Sequence, residues 1–136
     1  MFESTTSLRV RYAETDRMGY VYYGNYASFY EVGRVEALRD LGLSYRELED
    51  SGIMLPVSEL SSKYRKPAYY DDLISVRTVI PEMPAARLKF LYYLYNTAGD
   101  LINEGATTLV FVNIQTMKPC GAPKHFLDLI CPYFNE

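Results

Sequence analysis

From about Asn25 the chain repeats apolar residues at a helical period. Tyr26, Tyr30, Gly33, Ala37 and Leu41 form one stripe, with Phe29 at its edge, while Val32, Val35 and Leu38 fall largely elsewhere on the wheel. A helix that is apolar on more than one side is buried on more than one side. At about 17 residues it is roughly 25 Å long, and Gly42 is placed to cap its C-terminus. Such a rod needs a surface wrapped around it, and the rest of the chain reads mainly as strands. Ser7 to Ala13 alternates ahead of the helix, with Leu8, Val10 and Tyr12 on one face. Leu43 to Glu49 reads as a short second helix, with Ser44 as N-cap and Glu47 as capping-box partner. Strands are then expected over Met54 to Tyr64, Leu73 to Ile80, Arg87 to Tyr95 and Leu101 to Ile114, with a hairpin turn at Asn96 to Asp100. Lys124 to Cys131 is a candidate terminal helix. Helix and strands are segregated along the chain, and strands joined by short turns pair antiparallel. The expectation is an α+β fold, with an antiparallel sheet of about five strands around one long central helix.

The 136 residues show no seam, so one domain spanning 1–136 is expected. The 14 basic and 17 acidic residues leave a net charge of −3 with no basic stripe, which points away from nucleic acid. No apolar run approaches the ~20 residues that span a bilayer. The start, Met-Phe-Glu-Ser, has no secretory-leader pattern, so the expected location is cytoplasmic. Cys120 and Cys131 are read as free thiols. With the single histidine, His125, they match no zinc spacing, so neither a metal nor another cofactor is expected.

The chemistry concentrates in the segment between the first strand and the long helix. Asp16 precedes the helix start, where unpaired N–H groups near Tyr22, Tyr23 and Gly24 carry partial positive charge. One short segment thus offers both a base or nucleophile and a hole for a developing oxyanion. Gly19 and Gly24 allow close backbone approach, and the tyrosines at 20, 22, 23 and 26 are candidate pocket walls. The same carboxylate serves equally as a turn former. Glu14 reads as a solvated charge pointing away. Glu31, on the long helix, either pairs with Arg34 three residues on or is a second functional carboxylate. Lys63, Arg65, Lys66, Arg87, Lys89 and Lys118 are candidate phosphate contacts or plain solvated charge. No Gly-x-Ser-x-Gly motif occurs, so serine-hydrolase chemistry is not expected.

The run Tyr12-x-x-Thr-Asp-x-Met-Gly-x-Val-Tyr-Tyr-Gly-Asn-Tyr26, followed by Phe29-Tyr-Glu-x-Gly-Arg-x-Glu36, resembles the hotdog-fold acyl-CoA thioesterases. Within them it is most similar to the 4-hydroxybenzoyl-CoA thioesterase family and its Tol-Pal-cluster branch. Pro56-Val-x-x-Leu60, Tyr64-x-x-Pro67-Ala68 and Asp71-Asp72 extend the likeness over about 7–116. The resemblance implies a long helix wrapped by an antiparallel sheet, in dimers with a continuous sheet that often pair again into tetramers, with sites at the dimer interface. It implies hydrolysis of a CoA thioester, with Asp16 as nucleophile or general base and the amide at Tyr23, beside Gly24, polarising the carbonyl. Gly19, Val21, Tyr22, Asn25, Tyr26, Glu31 and Lys63 would line the substrate site, with Arg87, Lys89 and Lys118 as loose candidates for the CoA phosphates. Many bacterial relatives carry histidine where this chain has Tyr23, so no step can lean on an imidazole there. The alternative is a module that binds acyl-CoA or acyl-carrier protein without hydrolysis.

Overall fold

The computed structural model describes residues 1–135. In chain order its elements are β1 (Phe2–Arg9), α1 (Tyr26–Leu41), α2 (Tyr45–Asp50), β2 (Ile53–Met54), β3 (Val57–Tyr64), β4 (Leu73–Ile80), β5 (Arg87–Tyr95), β6 (Leu101–Val110), β7 (Val112–Asn113) and α3 (Lys124–Ile130). Five strands form one antiparallel sheet in the order β1-β4-β5-β6-β3, and β2 pairs with β7 separately. The sheet covers α1, the α+β arrangement expected from the sequence.

The first strand lies earlier than its alternation suggested. It runs Phe2–Arg9, and Tyr12, expected on its inner face, stands exposed in a short 3-10 turn over Tyr12–Glu14. Glu3 to Ser7 carries no apolar signal, yet every residue from Phe2 to Arg9 is in register with β4. The neighbour order also departs from simple succession. β4, β5 and β6 pair as consecutive hairpins, but β3 lies against β6 while β4 takes β1 as its other neighbour. The long last strand breaks at Phe111, after which Val112 and Asn113 leave the main sheet for β2.

α1 buries Tyr26, Phe29, Tyr30, Gly33, Ala37, Leu38 and Leu41 against the sheet. Its other side is less covered than the apolar wheel suggested, with Val32 exposed and Val35 half-buried. Facing it are Ile74, Val76, Leu88, Phe90, Tyr92, Leu94, Ile102 and Leu109, all fully buried. Gly33 is required by contact. A Cβ there would lie 2.4 Å from Thr78 Oγ1 and 2.6 Å from Val76 Cγ1, so the close neighbours are β4 side chains rather than a backbone.

Two polar networks cross this interior. Tyr30 bonds Ser62 (2.6 Å) and Asn103, and its ring stacks on Tyr92 at 4.5 Å. Tyr92 in turn bonds Thr107 at 2.6 Å and accepts from Arg34 at 3.1 Å. The expected Glu31–Arg34 ion pair does not form; Arg34 is buried and gives its hydrogen bonds to phenols. α2 begins as expected, with Glu47 N–H donating to Ser44 Oγ at 3.1 Å. Cys120 and Cys131 are both free and part-buried. No helix among the described residues is long and apolar enough to cross a membrane.

Candidate active site

Residues 10–25 fold back on themselves before α1 starts. Arg11 N–H donates to Glu14 Oε1 at 2.7 Å and the two side chains pair at 3.4 Å, so Glu14 closes the 3-10 turn and is largely covered instead of solvated. Its carbonyl then accepts twice, from Tyr22 N–H at 2.9 Å and from Asn25 Nδ2 at 2.8 Å. Val21, 2% exposed, is tied to Ala68 by a 2.8 Å backbone bond. Between these anchors lies a tight turn. Gly19 N–H reaches Asp16 O at 3.0 Å, Asp16 N–H reaches Tyr20 O at 3.0 Å, and Gly19 has φ +89°, which a side chain would strain.

Asp16 is half-buried, and its two carboxylate oxygens differ. Oδ1 accepts from Met18 N–H at 2.8 Å, so the turn-forming reading of this residue holds. Oδ2 has no hydrogen-bond partner among the described residues. Tyr23–Asn25 forms a 3-10 turn that runs straight into α1. At its start the N–H groups of Tyr23 and Gly24 find no protein acceptor among the described residues, as the geometry of a helix start requires. The ring of Tyr22 lies over Gly24, where a Cβ would meet it at 2.6 Å.

Asp16 and Tyr23 line one cleft of about 360 Å³, together with Met18, Tyr20, Val21, Tyr26 and Tyr64–Pro67. Its walls are aromatic. Tyr64 meets Tyr26 edge-on at 5.5 Å and Tyr23 at 6.2 Å. Burial pushes the Tyr26 phenol up to about 12, so at neutral pH it is a neutral hydroxyl and not a base. The Tyr22 phenol is also raised, chiefly by its Tyr23 neighbour and further by the Asp16 carboxylate. At the mouth, Arg65 is held by Glu104 at 2.6 Å and Lys66 by Asp100 at 3.3 Å.

Of the residues singled out in the sequence, the fold brings Asp16, Tyr20, Val21, Tyr23, Tyr26, Arg65 and Lys66 to this cleft. Gly19, Tyr22, Gly24 and Asn25 belong to the same loop, where Asn25 spends its amide on Glu14. Glu31 lies at a second cavity beside α2. Lys63 sits in a surface groove with Tyr93 and Glu104, and Arg87 and Lys89 share another with Thr108. Met18, Tyr64 and Pro67 join the cleft without having been singled out as site residues, although all three stand in the runs that carry the family resemblance. Their signal was the aromatic end of an exposed strand running into Arg-Lys-Pro.

A model of the thioesterase-like superfamily matches residues 10–130. YneP of Bacillus subtilis is 36% identical over 128 residues, covering 94% of this chain and 93% of its own. The acyl-CoA thioester hydrolase YbgC of Escherichia coli O6:H1 is 34% identical over 117 residues, covering 86% of this chain and 87% of its own. Among solved structures, a DHNA-CoA thioesterase from Staphylococcus aureus superposes with a TM-score of 0.91 at 36% identity, covering 98% of this chain and 90% of that one.

Proposed function

The chain belongs to the thioesterase-like superfamily, and from that premise we propose that it hydrolyses an acyl-CoA thioester to free acid and CoA, with Asp16 and the opening of α1 as the reacting site. The observation that carries the reading is the convergence of a carboxylate with one unspent oxygen and two amides without acceptors on the start of one helix. Asp16, or a water it deprotonates, adds to the thioester carbonyl. The carbonyl π electrons move to oxygen, where the Tyr23 and Gly24 N–H groups donate to the oxyanion; one such donor is worth about 3 kcal/mol. Collapse breaks the C–S bond and the electron pair leaves with the CoA sulfur; where Asp16 itself attacked, water then opens the acyl–aspartyl anhydride to free acid and the restored carboxylate, and where it acted as base, the proton it took passes to the thiolate or to solvent. A thiol with a pKa of about 8.5 leaves as thiolate without an acid catalyst, which suits a site without histidine: His125 is exposed in the first turn of α3, away from the cleft.

The active form is proposed to be a homo-oligomer built by pairing β3 with β3 of a second copy. β3 is an edge strand, exposed along nearly its whole length, and presents Val57 (44%), Leu60 (47%) and Tyr64 (54%) to solvent. An unpaired apolar edge of this kind favours strand addition, and isologous pairing closes at two copies. Arg87 and Lys89, on one face of β5 and in none of the ion pairs among the described residues, are proposed contacts for the CoA phosphates. The whole chain is proposed to act as one domain in the cytoplasm.

Thiol release from a panel of acyl-CoAs tests the chemistry. Wild type is expected to release CoA from at least one ester, and Asp16→Asn to release it about 10³-fold more slowly at the same enzyme concentration. Equal release by both proteins removes Asp16 from the mechanism, and release by neither favours the binding module. Sedimentation is expected to give a dimer or a multiple of it; a monomer at micromolar concentration sinks the β3 pairing.

A further inference from the structure

Among the described residues Arg34 is the only charged side chain buried in the core, 7% exposed. It has no carboxylate partner. Nε donates to the Tyr45 hydroxyl at 2.9 Å and Nη1 to the Tyr92 hydroxyl at 3.1 Å. A buried charge without an opposite charge is costly, and two neutral phenols compensate it only in part. Two donors here are also unspent. Nη2 of Arg34 makes no hydrogen bond among the described residues, and Tyr45, which accepts from Arg34, gives its own proton to nothing. Both side chains line a cavity of about 600 Å³ between α1, α2 and the β2–β3 link, with Val35, Met54, Leu55 and Pro56 as its apolar wall. Arg39 at the cavity is already paired with Glu36, and neither Glu31 nor Glu49 forms an ion pair among the described residues, so no carboxylate at the cavity is bonded to Arg34.

This cavity and the Asp16 cleft lie at opposite ends of β3. Met54–Pro56 precede the strand and Tyr64–Pro67 end it, and its 8 residues span about 27 Å at 3.4 Å per residue. Within one protomer no short acyl group joins them. Antiparallel pairing of β3 with itself about its midpoint sets Val57 opposite Tyr64. The same register sets Pro56 opposite Arg65, Leu55 opposite Lys66 and Met54 opposite Pro67. Neighbouring strands are about 4.8 Å apart, so the residues that wall one site meet those that wall the other.

We propose that the Arg34 cavity of one protomer receives the far end of the acyl group whose thioester lies at the partner subunit's Asp16, and that it selects acyl groups ending in a carboxylate. The proposal rests on the CoA-thioester site and β3 pairing argued above. The carboxylate accepts from Arg34 Nη2 and the Tyr45 hydroxyl, and its methylenes lie on Val35, Met54 and Leu55.

Adipoyl-CoA and hexanoyl-CoA, equal in chain length, are the probes. Calorimetry on the Asp16→Asn protein needs no turnover, and a charge-assisted pair of hydrogen bonds is expected to make adipoyl-CoA bind about tenfold more tightly. Adding Arg34→Met should bring the ratio to about one; Tyr45→Phe, which keeps the ring and serves if Arg34→Met fails to fold, should lower it severalfold. Equal affinities for the two esters with Arg34 intact overturn the proposal. So does a loss of affinity for both in Arg34→Met with the ratio preserved, which is the mark of a purely structural arginine. Co-expressed Asp16→Asn and Arg34→Met chains should recover preferential adipoyl-CoA hydrolysis above either variant alone, because one site of the mixed dimer keeps both residues; no recovery overturns the cross-subunit placement. If wild type cleaves neither ester while the affinity ratio holds, the hydrolase reading fails and this one stands.

Discussion

The opening of α1 and its middle are one continuous helix built to different rules. At Gly33 the packing leaves no room for a methyl group, and the surrounding polar side chains are joined into networks from Arg34 to Thr107 and from Tyr30 to Asn103. At Tyr23 and Gly24 the amides have no acceptor, the rings of Tyr22 and Tyr23 stand in solvent, and order comes from outside the helix, through Asn25 and Glu14. Buried hydrogen-bonding groups are nearly always paired, and most of those around the middle are, with Thr78 Oγ1 the buried exception among the described residues. On the proposed function the opening reacts because its amides are left for a ligand, while the middle keeps them in place. Damage to the two regions should therefore separate into loss of activity and loss of stability.

The largest expected effect is at the opening. Asp16→Asn should lower kcat/KM by about 10³-fold, within the range for a positioned acid–base group, with an unchanged melting temperature. The new Oδ1 still accepts from Met18 N–H, so a large fall in melting temperature would make Asp16 a structural residue. Next is the middle, where Gly33→Ala should cost about 2 kcal/mol of stability from overpacking against Thr78 and Val76. Urea unfolding measures it, and hydrolysis per folded molecule should be retained. A neutral Gly33→Ala would show that the middle is softer than its contacts imply. Asn25→Ala tests the link between the regions. Losing the 2.8 Å bond to Glu14 should cost about 1 kcal/mol of stability and should lower kcat more than it raises KM, since the amides lose their aim. The smallest effect has the opposite sign. Thr78 Oγ1 is buried without a partner among the described residues, so Thr78→Val should raise stability by about 1 kcal/mol in the same urea assay, with activity unaltered.

Much of this protein can be read from local pattern. The period of residues 25–41 specified the helix, its length and its inner stripe, because a stripe of apolar side chains is a property of consecutive residues. β4 and β5 were legible for the same reason, and so was the Asp16 turn, whose glycine and acid act within four residues of each other. What local pattern does not contain is the identity of neighbours. β1 is drawn into the sheet by β4 although most of its residues are polar, since ladder bonds depend on backbone and position rather than on hydrophobicity. Gly33 is explained by Val76 and Thr78, more than 40 residues on and on another element. The placement of β3 beside β6, not β4, carries Tyr64–Pro67 to the loop of Asp16 and leaves an open edge at the far side of the sheet. Chain order ranks contacts by loop length, whereas the folded sheet ranks them by burial and complementary shape, and at β3 the second ranking prevailed.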